Sequence, residues 1–227
     1  MIEIMPIAIA HTPFKQKFGI PRQSGLISVS GEIELLPPFN QPEAVKGIRA
    51  CSHLWLIFQF SANPASDRLS VRPPRLGGND KLGVFATRAS FRPNGLGMSL
   101  VALDAIEFNE GVKLKVSGVD LLDQTPIIDI KPYLPYADMP QGAVFNAIAP
   151  EAPAPSLLVR WADQACADVK AFITYSEYTE QELMTWITAI VEQDPRPAYK
   201  SLQDEKSMRL HLIGLMFILV SLISRRR

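Results

Sequence analysis

The feature that most constrains the fold of this 227-residue chain is a series of short strand-like segments separated by turn signals over its first 140 residues. Ser52–Phe60 is rich in aromatic and aliphatic residues, which is typical of a central strand. Ser99–Phe108 and Val112–Val119 flank Asn109–Gly111, which is a hairpin signal. Apolar and polar residues alternate in the second of these segments, so we expect one face to be buried and the other to be wet.

Weaker signals extend this pattern along the chain. Apolar runs predict strands at Ile4–Ala10 and Val84–Thr87, and Leu26–Leu36 is expected to hold a short strand. Gln41–Ile48, with a proline near its start, predicts one or two helical turns. There is no strand–helix alternation and no GxGxxG spacing, which argues against a dinucleotide-binding fold. Many short strands with turns between them indicate a β-barrel or a β-sandwich, and the residues alone leave both open.

The clearest signal for function lies in Val71–Leu100. This stretch holds four arginines, one lysine and one acidic residue, together with five glycines and three prolines. Guanidinium groups bind planar oxyanions bidentately, glycines let the backbone approach a ligand closely, and prolines stiffen the turns between them. We therefore expect a site for a ligand that carries phosphate or carboxylate groups. The alternative interpretation is an arginine-rich solvated surface.

The distribution of charge indicates that an anionic partner would bind a local basic region rather than be attracted by the net charge of the protein. The formal net charge is zero at pH 7, so the protein as a whole does not attract a polyanion. Residues 68–97 hold six basic residues and one acidic residue, whereas residues 151–192 hold seven acidic and two basic residues. An anionic partner is therefore expected to bind the first region and to avoid the second.

Several classes of function have little support. Cys51 and Cys166 form no CxxC pair, and the start MIEIMPIAIA has no basic segment of an export signal, which together predict a cytoplasmic protein with reduced thiols. His11, His53 and His211 show no metal-ligand spacing with each other or with the cysteines, so no metal is expected. Neither GxSxG nor a Ser/His/Asp arrangement is present, so hydrolase chemistry is disfavoured.

The last third of the chain differs in composition. Residues 141–155 are rich in alanine and proline and predict a linker. Thr179 and Glu182 form a capping box, which predicts a helix over Thr179–Glu192 with one apolar face. Leu212–Ile223 is an apolar run, but a membrane span needs about twenty apolar residues. We expect this run to be a buried strand or helix, or an exposed apolar tail.

Five motifs in order along the chain resemble one family. They are PRQSG at 21–25, SHLW at 52–55, VRPPRLGG with GVFATRASFRPNGLGMSL within 71–100, DLLDQTPIIDIKPYLPYAD at 120–138, and DPRPAY at 194–199. Together they resemble the TrmO/YaeB family of tRNA (adenine(37)-N6)-methyltransferases over about residues 4–199. The resemblance implies a mainly β fold: a small antiparallel β-barrel domain over residues 1–140, a linker over 141–155, and a smaller C-terminal α+β domain over 156–227.

The resemblance also implies the chemistry. S-adenosylmethionine would be the methyl donor, and the acceptor would be N6 of threonylcarbamoyladenosine beside the anticodon of threonine tRNA. The enzyme would act as a cytoplasmic homodimer with the donor site near the subunit interface, without a metal and without a membrane. Methyl transfer depends mostly on positioning, so a conspicuous acid–base pair is not required. The alternatives are a non-catalytic β-barrel module that holds a nucleotide or an RNA loop and, more weakly, a role of the C-terminal apolar run as a membrane or partner-docking segment.

Carried over motif by motif, the resemblance assigns candidate site residues. The donor set is Pro21, Arg22, Gln23, Ser61, Ala62, Arg88, Met98, Gly118, Val119, Asp120 and Leu121. In that set Arg88 is expected to pair with a carboxylate, Met98 to line the adenine ring, and Asp120 to be the acidic member. The residues expected to hold or deprotonate the acceptor are Asp129, Lys131 and Tyr133. Contacts to tRNA are assigned to Arg72, Arg75, Arg92, Asn94, Arg196 and Tyr199.

Purely structural interpretations compete with some of these assignments. Met98 is often a core residue type, Asp120 is also suited to capping a turn, and Asp129 with Lys131 is also readable as a surface ion pair worth about 0–1 kcal/mol. The chain departs from the family pattern in places. Ser61 stands where the family usually has histidine, and Gly95–Gly97 (GLG) replaces the usual PIG. The apolar run replaces an alternating strand near the C-terminus.

Overall fold

In the computed structural model the described residues are 3–72, 81–144, 152, 154–155, 157–195, 208–212 and 215–219. The strands are β1 (Ala8–His11), β2 (Ser30–Leu35), β3 (His53–Gln59), β4 (Ser70–Val71), β5 (Leu82–Gly83), β6 (Leu96–Glu107), β7 (Lys113–Ser117), β8 (Thr125–Pro132), β9 (Met208–Leu212) and β10 (Leu215–Leu219). The α-helices are α1 (Pro135–Asp138), α2 (Asp163–Ile173) and α3 (Glu180–Glu192). Six of the strands close into a barrel in the order β1-β2-β7-β6-β3-β8, and all of its pairings are antiparallel.

The prediction of a mainly β fold with a small antiparallel barrel is confirmed, and the sandwich is excluded. Strand β3 is central as predicted, because it pairs with β6 on one side and with β8 on the other. Its residues alternate: Leu54, Leu56 and Phe58 are buried in the barrel, whereas the residues between them face outward. This alternation follows from the two-residue period of a strand, and it gives β3 an outer face that is available to a site.

A bulge fixes which residues of β8 face outward. Ile127 pairs with Phe58 and is fully buried, but the register then shifts so that Asp129 pairs with Ile57 and Lys131 with Trp55. A bulge places an extra residue in one strand, and this changes which side chains face each surface. Asp129 and Lys131 therefore lie on the outer face of the barrel.

Some of the predicted elements differ in the structure. Val84–Thr87 was predicted as a strand, and this is wrong: Val84–Ala86 is a 3₁₀ helix. The backbone N–H and the hydroxyl of Thr87 both donate to the carbonyl of Val84, at 3.2 Å and 2.9 Å, and these bonds close the turn. The helical turns predicted within Gln41–Ile48 are confirmed by a 3₁₀ helix at Pro42–Val45.

The C-terminal part contains the predicted helix. Thr179 caps α3, with its hydroxyl accepting from the N–H of Glu182 at 3.2 Å and its own N–H donating to the Glu182 carboxylate at 2.8 Å. The buried face of α3 consists of Leu183, Trp186, Ile187 and Ile190. The indole Nε1 of Trp186 donates to the backbone carbonyl of Ser28 at 3.1 Å, which joins α3 to the loop that precedes β2.

The apolar run near the C-terminus contributes to a hairpin rather than to a helix. Its first residue, Leu212, ends β9 and is buried, and Leu215–Leu219 pairs with β9 as β10. Residues 213–214 and 220–227 lie outside the described part of the chain. Within that part, no helix is long and apolar enough to cross a membrane.

Candidate functional site

A cavity of about 730 Å³ opens where β3 ends and β6 begins. This volume lies within the range of about 300–1,000 Å³ that is usual for small-molecule sites. The walls come from segments that are distant in sequence: the loop before β2, the end of β3, residues 87–92, the start of β6 and the loop between β7 and β8. The residues predicted for the donor that line this cavity are Pro21, Arg22, Gln23, Ser61, Ala62, Arg88, Met98, Asp120 and Leu121.

One wall of this first cavity is aromatic. Phe58 and Phe60 make an edge-to-face contact with ring centroids 5.0 Å apart, and Phe91 also lines the cavity. A Cβ at Gly97 would lie 2.6 Å from Cε2 of Phe58 and 2.9 Å from Cζ of Phe60, so only glycine leaves room for this pair. Met98 is 45% exposed and lies on the outer face of β6, so the core interpretation of Met98 does not hold.

The acidic member of the site is Asp120. Burial raises the pKa of its carboxyl from 3.8 to about 6, against the opposing effects of hydrogen bonds from the Ser99 hydroxyl and the Ser24 N–H and of the Arg88 charge. The Ser99 hydroxyl donates to Oδ1 of Asp120 at 2.5 Å, and Ser99 itself is buried. Asp120 therefore lines a cavity rather than capping a solvated turn. A carboxylate held this way is suited to bind a cation in the cavity.

Two arginines of the basic stretch line the cavity. Arg88 Nη1 donates to Oε1 of Gln23 at 2.9 Å, and Arg92 Nη1 donates to the backbone carbonyl of Thr87 at 2.9 Å. Arg88 does not follow a strand as predicted, because a 3₁₀ turn precedes it. Both guanidinium groups keep further N–H donors beyond these single bonds, so both can also bind an anionic group.

Lys17 is a cavity residue that the sequence reasoning missed. Its ammonium donates to the carbonyl of Ala62 at 2.5 Å and to Oδ1 of Asn63 at 2.6 Å, so it joins the loop before β2 to the end of β3. Phe58, Phe60 and Phe91 were missed as well. For Phe58 and Phe60 the available signal was the aromatic content of Ser52–Phe60, which was interpreted only as typical of a central strand.

A second cavity of about 410 Å³ adjoins the first on the outer face of the barrel, and the pair Gln23 and Arg88 lines both. Gly118, predicted for the donor, lines this second cavity, where its φ of +80° suits glycine. Val119 lines neither cavity, because its side chain is fully buried in the barrel. Its placement differs from the predicted one because Gly118, with its positive φ, breaks the extended backbone after β7, and the Val119 side chain packs beside Gly31.

The residues predicted to hold the acceptor lie beside both cavities. Asp129 is the cross-strand neighbour of Ile57, which lines the first cavity, and Lys131 is the neighbour of Trp55, which lines the second. Asp129 and Lys131 form an ion pair at 3.0 Å, with side chains 47% and 63% exposed. An exposed pair of this kind contributes little stability.

The third member of this group, Tyr133, continues the same row. The N–H of Tyr133 donates to the carbonyl of His53 at 3.1 Å, and the ring centroids of Tyr133 and Trp55 are 6.4 Å apart. Asp129, Lys131 and Tyr133 therefore follow one edge of a continuous outer surface.

The residues predicted to contact tRNA are only partly described. Arg72 is exposed directly after β4, Arg92 lines the first cavity, and Asn94 is exposed in the turn before β6. Arg75, Arg196 and Tyr199 lie outside the described residues. Gly95 has a φ of +59° and its N–H donates to the carbonyl of Arg92 at 3.2 Å, so a proline is not possible in this turn. This explains one departure from the family motif.

Among the described residues, no group of three or more His, Cys, Asp or Glu side chains is arranged to hold a metal ion. The two cavities are lined by an aromatic wall, the Asp120 carboxylate and several cationic groups.

Comparison with known proteins decides the family. The sequence profile of the tRNA-methyltransferase O N-terminal domain matches residues 9–139, and that of the TrmO C-terminal domain matches residues 154–218. The chain belongs to the TrmO family. This confirms the resemblance found in the motifs. The barrel and the residues that line both cavities fall mostly within the N-terminal match.

Relatives of known sequence and structure agree with this assignment. A tRNA (adenine(37)-N6)-methyltransferase of Escherichia coli is 44% identical over 198 residues, covering 86% of this chain and 82% of the relative. A protein of Pseudomonas aeruginosa, whose name describes an S-adenosylmethionine-dependent methyltransferase, is 47% identical over 199 residues, covering 87% and 83%. A crystal structure of TrmO from P. aeruginosa superposes with a TM-score of 0.77 at 36% identity, covering 98% of this chain and 93% of the other.

Proposed function

We propose that this TrmO-family protein is a methyltransferase that uses S-adenosylmethionine to methylate N6 of adenine 37 in tRNA. The observation that carries the proposal is the first cavity, where an aromatic wall, the Asp120 carboxylate and the Arg88 guanidinium surround one space. A methyl donor of this kind has an adenine ring, an ammonium group and a carboxylate, and these match the three kinds of group. The names of the relatives support the same reaction.

Different residues of the first cavity are suited to different groups of the methyl donor. Asp120 is suited to the ammonium group, and Arg88 to the carboxylate through a charge-assisted bond. Phe58 and Phe60, with Met98 at the rim, offer the apolar faces that an adenine ring requires. When bound, S-adenosylmethionine supplies an electrophilic methyl group. The protein contributes by holding the acceptor nitrogen in line with it, and such positioning can supply about 7–11 kcal/mol.

The acceptor is held on the outer face of β8. Asp129 lies beside the first cavity through its neighbour Ile57. We assign Asp129 to the hydrogen bond with the N6 proton, which has to leave when the new bond forms. Lys131 orients the Asp129 carboxylate through their ion pair. Tyr133 offers a ring beside them for stacking, since aromatic side chains hold unstacked bases in RNA recognition.

The finer substrate and the assembly are part of the proposal. The acceptor base is threonylcarbamoyladenosine in the anticodon loop of threonine tRNA, held also by Arg72, Arg75, Arg92, Asn94, Arg196 and Tyr199. A homodimer is supported by exposed apolar side chains near the first cavity, with Leu69 86% exposed and Phe85 80% exposed. Such patches often mark protein contacts. We place the enzyme in the cytoplasm, and we divide the chain into a barrel domain over 1–140, a linker over 141–155 and a C-terminal domain over 156–227.

The test is direct. The purified protein is incubated with methyl-labelled S-adenosylmethionine and bulk tRNA from a strain that lacks the native activity, and the nucleosides are then separated. The expected result is label in N6-methylated threonylcarbamoyladenosine, and no label with an Asp120→Ala variant that still folds. Label in another nucleoside would refute the assigned acceptor. Binding of donor and tRNA without any label would favour the non-catalytic module.

A further inference from the structure

The outer face of β3 carries a row of side chains that connects the two cavities. Ile57 and its β6 partner Met98 line the first cavity, whereas Trp55 and its partner Leu100 line the second. Two residues along a strand span about 7 Å. The second cavity therefore lies one step along the same surface from the space assigned to the methyl donor.

The second cavity has an aromatic floor. Trp55 is half-buried between its strand neighbours, and His53 is exposed beside it. The ring of Tyr133 is 6.4 Å from that of Trp55 and 6.2 Å from that of His53, between centroids. His53 and Trp55 line the cavity, and Tyr133, directly after β8, extends the same aromatic surface beyond it; the buried core lies on the opposite side of β3.

Charged and polar groups surround this aromatic surface. Lys131 is the cross-strand neighbour of Trp55, and Arg88 stands between the two cavities with one bond to Gln23. The nearby acids are engaged: Asp129 pairs with Lys131, and Asp104 accepts from the Ser117 hydroxyl at 3.1 Å. An aromatic floor with cations at its edge is the arrangement that binds single-stranded nucleic acid.

We propose that the second cavity binds the base of the nucleotide next to the methylated one in the RNA, stacked on Trp55. The inference rests on the proposed function, because the target base has to reach the first cavity and its neighbour then lies over the adjoining surface. Lys131 lies where the phosphate between the two nucleotides passes. An indole ring can stack on any of the four bases. This contact therefore positions the RNA loop relative to the first cavity without selecting a sequence.

A second copy of the chain is the other occupant to consider. Arg88 is the one side chain of Asp, Glu, Lys or Arg type among the described residues that line this cavity, so two such surfaces bring like charges together when they meet. A phosphate backbone instead complements these charges. Charge complementarity therefore favours RNA, and the oligomeric state is measured as part of the test.

The test uses an anticodon stem-loop carrying the threonylcarbamoyl group, with 2-aminopurine placed on either side of the target nucleotide. Trp55→Leu removes the stacking face and Trp55→Phe retains one. We expect Trp55→Leu to weaken stem-loop binding about tenfold, in line with the loss of one base–aromatic stack. Trp55→Phe should bind nearly as well as the parent. Donor affinity and oligomeric state should stay unchanged for both.

The fluorescent base gives a readout that a merely structural role of Trp55 does not move. Binding should quench 2-aminopurine at one flanking position, and Trp55→Leu should remove most of that quenching. Tyr175→Leu is the matched control, because Tyr175 is 92% exposed and lies on the C-terminal helical part. This control should change neither affinity nor quenching.

Three outcomes overturn the inference. They are unchanged binding and quenching in Trp55→Leu, dissociation of an oligomer by that variant, and loss of donor binding together with RNA binding. If Trp55→Leu fails to fold, the parent alone tests the inference, because a parent that quenches 2-aminopurine at neither flanking position overturns it. Failure of the proposed function is seen separately, because the parent protein then methylates no tRNA. Methylation by the parent with no effect of Trp55→Leu refutes only the stacking site.

Discussion

The carboxyl of Asp120 is more easily protonated in the folded protein than in the unfolded chain, because burial raises its pKa to about 6 from 3.8. The folded state therefore binds more protons between those two values, and its stability falls as pH rises through that window. Above pH 6 the ionised carboxylate costs up to about 3 kcal/mol. The site retains this group at a cost in stability, which is consistent with a role in binding a cation.

The first prediction concerns this cost. Asp120→Asn keeps the acceptor for the Ser99 hydroxyl and removes the charge, so it should stabilise the protein at pH 8 and have little effect at pH 4. Denaturant unfolding at both pH values measures the difference. Asp67→Asn is the control, because Asp67 is exposed and its replacement should change the free energy of unfolding little at either pH. Equal stabilisation by Asp120→Asn at both pH values would show that burial does not disfavour the charge.

Donor affinity should rise with pH, whereas the stability of the protein falls with pH. The affinity of the parent for S-adenosylmethionine should fall about tenfold from pH 8 to pH 5, as a group with a pKa of about 6 becomes protonated. Asp120→Asn should bind the donor weakly at both values. Calorimetry of the two proteins across this range tests the assignment, and a flat profile for the parent would remove Asp120 from the donor site.

The second prediction concerns Gly97. Gly97→Ala should displace the Phe58 and Phe60 rings, because the new Cβ would overlap both. We expect a loss of about 1–3 kcal/mol in stability and a clear loss of donor affinity. Gly83→Ala is the matched control, since its Cβ would meet nothing closer than 4.0 Å. Thermal unfolding and donor titration compare the two variants, and equal behaviour would contradict the proposed role of the aromatic wall.

The site was predictable from residue motifs, but not from local chemistry. Asp120 and Arg88 were predicted by their places in the motifs, and both line the first cavity. Lys17 was missed because its role depends on the contact with Asn63, which is far away in sequence. Val119 was predicted as a donor contact next to Asp120, yet its side chain is buried beside Gly31, because Gly118 breaks the strand before it.

At the scale of elements, helix α3 supports the loop that forms one wall of the first cavity. Trp186 donates to the carbonyl of Ser28, and Arg22 donates to the carbonyl of Asp194 at 3.3 Å, just beyond the helix. Both bonds reach the segment that contains Pro21 and Gln23. The C-terminal part of the chain therefore restrains residues that we assign to the donor.

The third prediction tests this support. Trp186→Phe should lower the free energy of unfolding by about 1–3 kcal/mol, since it leaves the Ser28 carbonyl without the indole N–H. It should also weaken binding of the methyl donor several-fold. Trp161→Phe is the matched control, because its indole Nε1 donates to the Thr188 hydroxyl of α3 at 3.0 Å rather than to the barrel. Both variants should be destabilised, but only Trp186→Phe should change donor affinity. Equal donor affinities of the two variants would contradict the role of the Trp186–Ser28 hydrogen bond in supporting the cavity wall.

The elements that sequence predicted well have strong local signals. Strand β3 is rich in aromatic and aliphatic residues, and α3 has a capping box with a broad apolar face. Helix α2 was missed because Val169 is its only fully buried residue and no side chain caps it at Ala162. The 3₁₀ helix at Val84–Ala86 was mistaken for a strand because four residues are too few to separate the two periods.

At the scale of the whole molecule, basic and acidic residues are segregated in sequence, and the basic stretch borders the first cavity. Binding of tRNA should therefore depend on salt through this region. The fourth prediction is that Arg72→Ala reduces the slope of log affinity against log salt by about one. Arg160→Ala, at an exposed position of the acidic segment, is the control and should leave the slope unchanged. Equal slopes for the two variants would show that Arg72 does not contact tRNA and would favour the interpretation of a solvated surface arginine.

Closure of the barrel also determines when activity can arise during folding. The barrel closes only when β8 pairs with β1, which joins Ala8 to Ile127 across more than half of the chain. The first cavity takes residues from Lys17 to Thr125, so no shorter fragment contains it. Such long-range closure is slow compared with local helix formation. A nascent chain on the ribosome therefore has no donor site until β8 has emerged, and a growing polypeptide cannot compete with finished enzyme for the methyl donor.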